Sequence, residues 1–219
     1  EQEGRVRIDW VALDDKGRVR LDHLEELLKS GEKTLVSLMH ANNEVGNLLP
    51  IDRVAALCQQ YGVFFHCDTV QTMGHFPLDL SKVPVHFISC AAHKFHGPKG
   101  VGFLFIRHDV KIHPFIFGGA QERNMRGGTE NVYGIIGLAK ALEIACKEMD
   151  EHRHHVEGLK QYMAGRLSKD IPGIRFNGDC MGDSLYTVLN VAFPPGEQAE
   201  MLLFNLDIAG IACSGRSEE

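Results

Sequence analysis

Four short apolar runs recur along the first half of the chain: TLVSLMH (34–40), VFFHC (63–67), VHFISC (85–90) and GVGFLFI (100–106). They are rich in β-branched and aromatic residues and nearly continuous in hydrophobicity, a pattern that predicts strands buried on both faces. Between the first two, IDRVAALCQQYG (51–62) places Ile51, Val54, Ala55 and Leu57 along a helical repeat and closes on a glycine. That predicts a helix with a glycine stop. Strand, helix, strand in this order predicts a parallel α/β sheet.

The pattern changes after the glycine-rich stretch GGAQERNMRGGTEN (118–131). From Val132 to about Leu167 it is helical and increasingly charged, long enough to bridge between domains. A turn at Pro172 and Gly173 follows, then a strand over YTVLNVAF (186–193), a helix opened by PPGEQ over about 197–206, and a short strand GIAC (210–213). The expected boundary therefore lies near residue 135. Two parts are expected: residues 1–135, which carry the strands, and residues 136–219, which open with a linking helix. Neither internal repeats nor low-complexity segments interrupt the chain.

Composition narrows the function classes. With 219 residues, 44% of them hydrophobic, the chain has material for one large core or two modest ones. Lys and Arg number 23 against 29 Asp and Glu, for a net charge of -6, so no field attracts phosphate backbones or anionic lipid. Nucleic acid and membrane are not expected partners. No apolar run approaches the roughly 18 residues of a membrane span, and EQEGRVRIDW lacks the order of a signal peptide, so a cytoplasmic location is expected. Six scattered cysteines (58, 67, 90, 146, 180 and 213) form no CxxC pair, which suits a reduced compartment. His152, His154 and His155 in HRHH lack a metal-ligand pattern and read as a solvated helix face; no metal is expected.

The candidate chemistry lies just past the strands, since ligands of an open parallel sheet sit at the carboxyl ends of its strands. HANNEVG follows the first, DTVQ the second and AAHK the third, which brings Asn43, Asp68, Gln71, His93 and Lys94 to one edge if the strands are neighbours. Pyridoxal 5′-phosphate explains this set. Lys94 would bond its aldehyde, Asp68 would keep its ring nitrogen protonated, amides such as Gln71 and Asn43 would hold its phenolic oxygen, and an imidazole would stack on its ring. Each residue alone has a bland reading, with Asp68 as a helix cap, Asn43 as a turn residue and Lys94 as a surface amine. Their joint placement at successive strand ends favours the cofactor. HGPKGVG does not follow the GxxxxGK[ST] order of a phosphate-binding loop. Its turn HGPKG instead bends the backbone so that Lys94 points back toward a cofactor.

MHANNEVG, HCDTVQTMG, AAHKFHGPKGVGFLFIR and GGAQERNMRGGTEN, in that order, resemble the cysteine desulfurase and selenocysteine lyase branch of the class V aminotransferases. The resemblance covers nearly the whole chain. It implies an aspartate-aminotransferase-like α/β fold, mainly parallel in its large-domain sheet, and a homodimer with active sites near the subunit interface. Residues 1–135 would then be the C-terminal part of the cofactor-binding large domain, and 136–219 the linking helix and the first part of a small C-terminal domain. By position, Lys94 resembles the cofactor lysine and Asp68 the partner of the ring nitrogen. Gln71 and Asn43 resemble the phenolic-oxygen and substrate-side contacts, His93 a phosphate-side contact, and Thr129 the phosphate contact given to the neighbouring subunit. The implied reaction removes sulfur from L-cysteine to give L-alanine, with Lys94 as general base and a loop cysteine carrying the sulfur as a persulfide toward an acceptor or scaffold protein of iron–sulfur cluster assembly or another sulfur-transfer route.

The sequence also departs from the branch. Ala91 stands where many members carry a Ser or Thr phosphate donor, and Glu219 falls at the position of the thiol nucleophile after GIACSGRSEE. Cys213 reads as a buried strand cysteine. The phosphate loop and ring-stacking histidine of the branch align upstream of residue 1, so the chain reads as the middle of a longer enzyme, and the 219 residues alone are not expected to mobilise sulfur. Three alternatives remain open at this level: selenocysteine as substrate, another class V enzyme of the aminotransferase or kynureninase kind that uses no thiol, and a non-enzymatic scaffold.

Overall fold

The structure, a computed structural model, describes residues 6–196 and 201–215. Four strands, β1 (Leu35–Met39), β2 (Phe64–Asp68), β3 (Phe87–Ala91) and β4 (Gly102–Ile106), lie side by side in chain order. β1, β2 and β3 are parallel, with Met39, Asp68 and Ser89 in one cross-strand row. β4 turns back antiparallel to β3, because the 10 residues between them hold a tight turn rather than a crossover helix.

The helix expected after β1 is α2 (Ile51–Gln60). It ends as the sequence requires: Gly62 N–H donates to the Gln59 carbonyl and Val63 N–H to that of Cys58, the paired bonds of a Schellman-type stop. An eight-residue helix upstream, α1 (Leu21–Leu28), was not among the expected elements; it buries Leu24 and Leu28 beside α2. Val54, Ala55, Cys58, Phe65, Cys67 and Ile88 are fully buried between these helices and the sheet. Removing the Phe65 ring from water contributes about 2–3 kcal/mol.

Among the described residues, only one sheet face is covered in this way, which corrects the expectation of burial on both. On the other, Leu35 is 57%, Phe64 39% and Leu104 52% exposed. The strands are apolar on both sides, but α1 and α2 pack on the face of Val36, Phe65 and Ile88 alone.

Beyond the sheet, a short turn α3 (Gln121–Asn124) precedes two helices, α4 (Val132–Lys147) and α5 (Met149–Asp170), where the pattern predicted one. They part at Glu148, whose φ of -100 and ψ of 7 leave the helical region. Charge marks the junction, with Lys147 closing α4 and Asp150 and Glu151 opening α5, each complementing the helix end it occupies. The turn at Pro172 and Gly173 is present, Gly173 with a φ of +81. The strand expected over 186–193 shrinks to β6 (Val191–Ala192), paired antiparallel with β5 (Arg175–Phe176). The backbone just before it bonds elsewhere: Leu185 N–H donates to the Gly46 carbonyl (2.7 Å), and Lys160 Nζ to that of Leu185 (3.1 Å). Residues 197–200, the expected start of the next helix, lie outside the described residues, and α6 covers Leu202–Ile208. The stretch 210–213 forms no strand.

Candidate active site

Register decides what reaches the carboxyl edge of the sheet. Asp68 is the last residue of β2, and the turn 69–74 that carries Gln71 leaves from it. Asn43 lies in the loop after β1, and His93 and Lys94 sit in a 3-10 turn, Ala92–Phe95, directly after β3. Because β1, β2 and β3 are parallel neighbours, these five residues leave the same edge from adjacent strands. Lys94, His93 and Asn43 are exposed there, Asp68 and Gln71 half-buried.

The turn around the lysine is held from several sides. His96 caps it in the left-handed region (φ 64) and Gly97 N–H returns to the Ala92 carbonyl at 2.9 Å. A β-carbon on Gly97 would lie 2.8 Å from the Ala92 β-carbon and 2.9 Å from its carbonyl oxygen, so only glycine fits. Ala92 N–H bonds the Val101 carbonyl, which closes the turn onto the start of β4, and Phe95, 1% exposed, anchors it against α4. Such a turn presents one amine from an otherwise fixed backbone, as the GPKG pattern predicts. Ala91 ends β3 just before it, so the branch's Ser/Thr hydroxyl is missing at that point.

Polar groups continue behind Asp68 on the open sheet face. Its Oδ1 accepts from Val70 N–H at 2.9 Å. One row back, His66 bridges Ser37 Oγ (2.8 Å, Nδ1) and Ser89 Oγ (3.2 Å, Nε2), and burial holds its pKa below the ordinary value although Asp68 pulls it up. A neutral imidazole, two hydroxyls and a carboxylate thus line the floor beside the strand ends.

The loop 118–131 follows β4 and leads into α4. Its neck is closed by Gly127 N–H on the Ile116 carbonyl, and a β-carbon on Gly127 would come within 2.7 Å of Gly118 Cα. Glu122, Arg123 and Asn124 all have positive φ, a strained run for residues with side chains. Thr129 is exposed beyond it. Phe115 (93%), Phe117 (83%) and Tyr133 (91%) are exposed around the loop.

Burial sorts the thiols. Cys58 and Cys67 are pushed up to about 12 and Cys90 to about 11, whereas Cys146 and Cys213 are exposed. That corrects the reading of Cys213 as a buried strand residue, since the backbone around it pairs with no strand among the described residues. Glu219, expected at the nucleophile position, lies outside the described residues.

Sequence reasoning missed one group. His75, Tyr186 and His152 meet beneath the lysine turn, with His75 Nδ1 2.9 Å and His152 Nδ1 3.2 Å from the Tyr186 hydroxyl. His154 and His155 are exposed as expected, but His152 turns inward. The residues meet across 111 positions of sequence, beyond the reach of any local pattern. Among the described residues, no three His, Cys, Asp or Glu side chains are grouped to hold a metal ion.

The donor set at the strand ends fits pyridoxal phosphate chemically: an amine for an aldehyde, a carboxylate for a pyridinium nitrogen, and amide and imidazole donors for ring substituents. Comparisons with known proteins agree in kind. The model of the Aminotransferase class-V family matches residues 1–216. The cysteine desulfurase IscS of Dictyoglomus turgidum is 41% identical over 218 residues, 97% of this chain and 55% of that protein. The putative cysteine desulfurase IscS 1 of Bacillus subtilis is 40% identical over 210 residues, 96% and 55%. Among solved structures, a NifS-like protein superposes with a TM-score of 0.90 at 39% identity, covering 98% of this chain and 58% of that one. A NifS-like protein from Rickettsia africae does so with a TM-score of 0.88 at 30%, covering 94% and 57%. The chain spans about half the length of the curated relatives it matches.

Proposed function

Since the chain belongs to the class V aminotransferases, we propose that the protein is a pyridoxal-phosphate-dependent cysteine desulfurase. It takes L-cysteine and a protein thiol and releases L-alanine, leaving the sulfur on the thiol as a persulfide for iron–sulfur cluster assembly or another transfer route. The observation that carries this is the placement of Asp68 and Lys94 at the carboxyl ends of adjacent parallel strands, in a chain about 40% identical to proteins named cysteine desulfurase.

When bound, the cofactor supplies an electron sink that loosens bonds at the substrate Cα and Cβ. The chain's own residues do the rest. Lys94 would hold the cofactor through Nζ, and the same Nζ, once free, would move the proton at the substrate Cα. Asp68 keeps a proton on the ring nitrogen, because a carboxylate beside that nitrogen favours its charged form. Gln71 and Asn43 orient the ring and the substrate, and His93 and Thr129 hold the phosphate, Thr129 from the neighbouring subunit of a homodimer. Aromatic exposure at Phe115, Phe117 and Tyr133 supports such an interface. We also propose the division into 1–135 and 136–219, supported by the change from strands to helices at α4. Contacts such as Leu185 N–H to the Gly46 carbonyl tie the two parts closely. No helix among the described residues is long and apolar enough to cross a membrane, in keeping with a cytoplasmic site of action.

The test uses the complete protein with pyridoxal phosphate. Cysteine-dependent alanine without a keto-acid acceptor, lost in Lys94→Ala, is expected. Borohydride should trap the cofactor on the Lys94 peptide. An adduct on Lys99 or Lys82, or alanine that requires a keto acid, would overturn the reading.

A further inference from the structure

Lys94 is fixed at one more point that the reaction above does not explain. The ring of His75, 8% exposed, reaches under the turn and its Nε2 lies 3.1 Å from the Lys94 carbonyl oxygen. A carbonyl can only accept, so Nε2 carries the proton. Burial keeps His75 below its ordinary pKa although the bond to the Lys94 carbonyl pulls it up, with smaller lowering contributions from His152 and His96, and the neutral ring then has Nδ1 free to accept. The Tyr186 hydroxyl, 2.9 Å away, supplies the proton. That leaves the Tyr186 oxygen to accept from His152 Nδ1, at 3.2 Å. One arrangement of protons satisfies all three contacts.

Phe95 packs the turn against α4, but that packing is incomplete from below. A cavity of about 150 Å³ lies behind it, lined by His75, Phe95, His96, Ile144 and His152 among others. Room of that size lets a short turn shift, and a side chain anchored by a directional bond prevents it.

Taking Lys94 as the cofactor lysine, we propose that His75 is a positioning residue for it, and that Tyr186 holds His75 in the tautomer that does so. His75 fixes the peptide plane that follows the lysine and thereby the direction in which its side chain leaves the backbone. Tyr186 comes from the segment beside α5, so the seating of that segment is transmitted to the reactive amine through two hydrogen bonds.

The experiment follows hydrogen exchange in the complete protein without cofactor. It reads the Gly97 amide, which bonds the Ala92 carbonyl across the turn, against the Val63 amide at the end of α2. In His75→Phe, Gly97 should exchange about ten-fold faster while Val63 keeps its rate, because the opening is local. His75→Gln should restore the slow rate, since its amide can donate to Lys94 and accept from Tyr186. Tyr186→Phe should loosen Gly97 and leave Val63 unchanged. With limiting pyridoxal phosphate, borohydride trapping on Lys94 should fall in His75→Phe and recover in His75→Gln. Unchanged exchange at Gly97, equal acceleration at Val63, or no recovery with glutamine would each overturn the proposal. Should His75→Phe not fold, the other two variants decide: a slow Gly97 with glutamine and a fast one in Tyr186→Phe sustain it, and equal rates overturn it. The exchange is read without cofactor, so a failed tether leaves an adduct on Lys94 standing, and an adduct elsewhere leaves the tether standing.

Discussion

Thr69 grips Ser89 twice: its backbone N–H and its Oγ1 hydroxyl both donate to the Ser89 carbonyl at 3.0 Å. Asp68 precedes Thr69 and Lys94 lies five residues past Ser89, so these bonds lock the carboxylate-bearing strand end to the strand that delivers the amine. Thr69 is fully buried, and Thr69→Val keeps its shape while removing one of the two donors. A loss of about 1 kcal/mol in urea unfolding is expected. Weaker pyridoxal phosphate binding should accompany it. An unchanged midpoint would show that the backbone bond alone suffices.

Asp68→Asn keeps the size of the side chain but removes the charge that favours a protonated ring nitrogen. The cofactor should still be trapped on Lys94, while turnover falls by at least about 100-fold, roughly 3 kcal/mol in the barrier. Steady-state alanine production measures it. A near-normal rate would reduce Asp68 to a cap for the turn at Val70.

If Thr129 serves the partner's cofactor, then mixing a Thr129→Ala protein with a Lys94→Ala protein should recover activity in the mixed dimers. Each mixed dimer would contain one site with both residues intact. Subunit exchange is confirmed by mass-tagged chains, and no recovery after exchange would count against sharing.

The thiols should separate by burial. With its pKa pushed up to about 12, Cys67 has only about one thiolate in ten thousand at pH 8, and Cys58 behaves alike. Iodoacetamide on the native protein should therefore label the exposed Cys146 and Cys213 first, with Cys58, Cys67 and Cys90 reacting only after unfolding. Peptide mass spectrometry resolves the order; early labelling of Cys67 would mean that the sheet opens more readily than its packing suggests.

Much of this protein was legible because its signals are local. The period of the strands, the glycine that stops α2, and the residues left at each strand end are matters of a few neighbouring positions. Asn43, Asp68, Gln71, His93 and Lys94 could be brought to one edge on that basis, since strand order in a parallel sheet leaves few alternatives. The four GPKG residues likewise announced a sharp bend around Lys94, and the structure shows why Gly97 is needed there.

What only the tertiary structure decided depends on partners distant in sequence. The period of 186–193 is that of a strand, yet Leu185 and Asn190 bond the loop 42–47, and a ladder forms over Val191–Ala192 alone. Nothing local distinguishes His152 from its solvated neighbours His154 and His155, but α5 turns it toward Tyr186. His75 is one histidine among twelve until the fold places it between the Lys94 carbonyl and a phenol 111 positions away. A sequence determines which residues can form a bond; the packing of helices on the sheet determines which of them are buried together, where leaving a donor unpaired costs enough to select one arrangement.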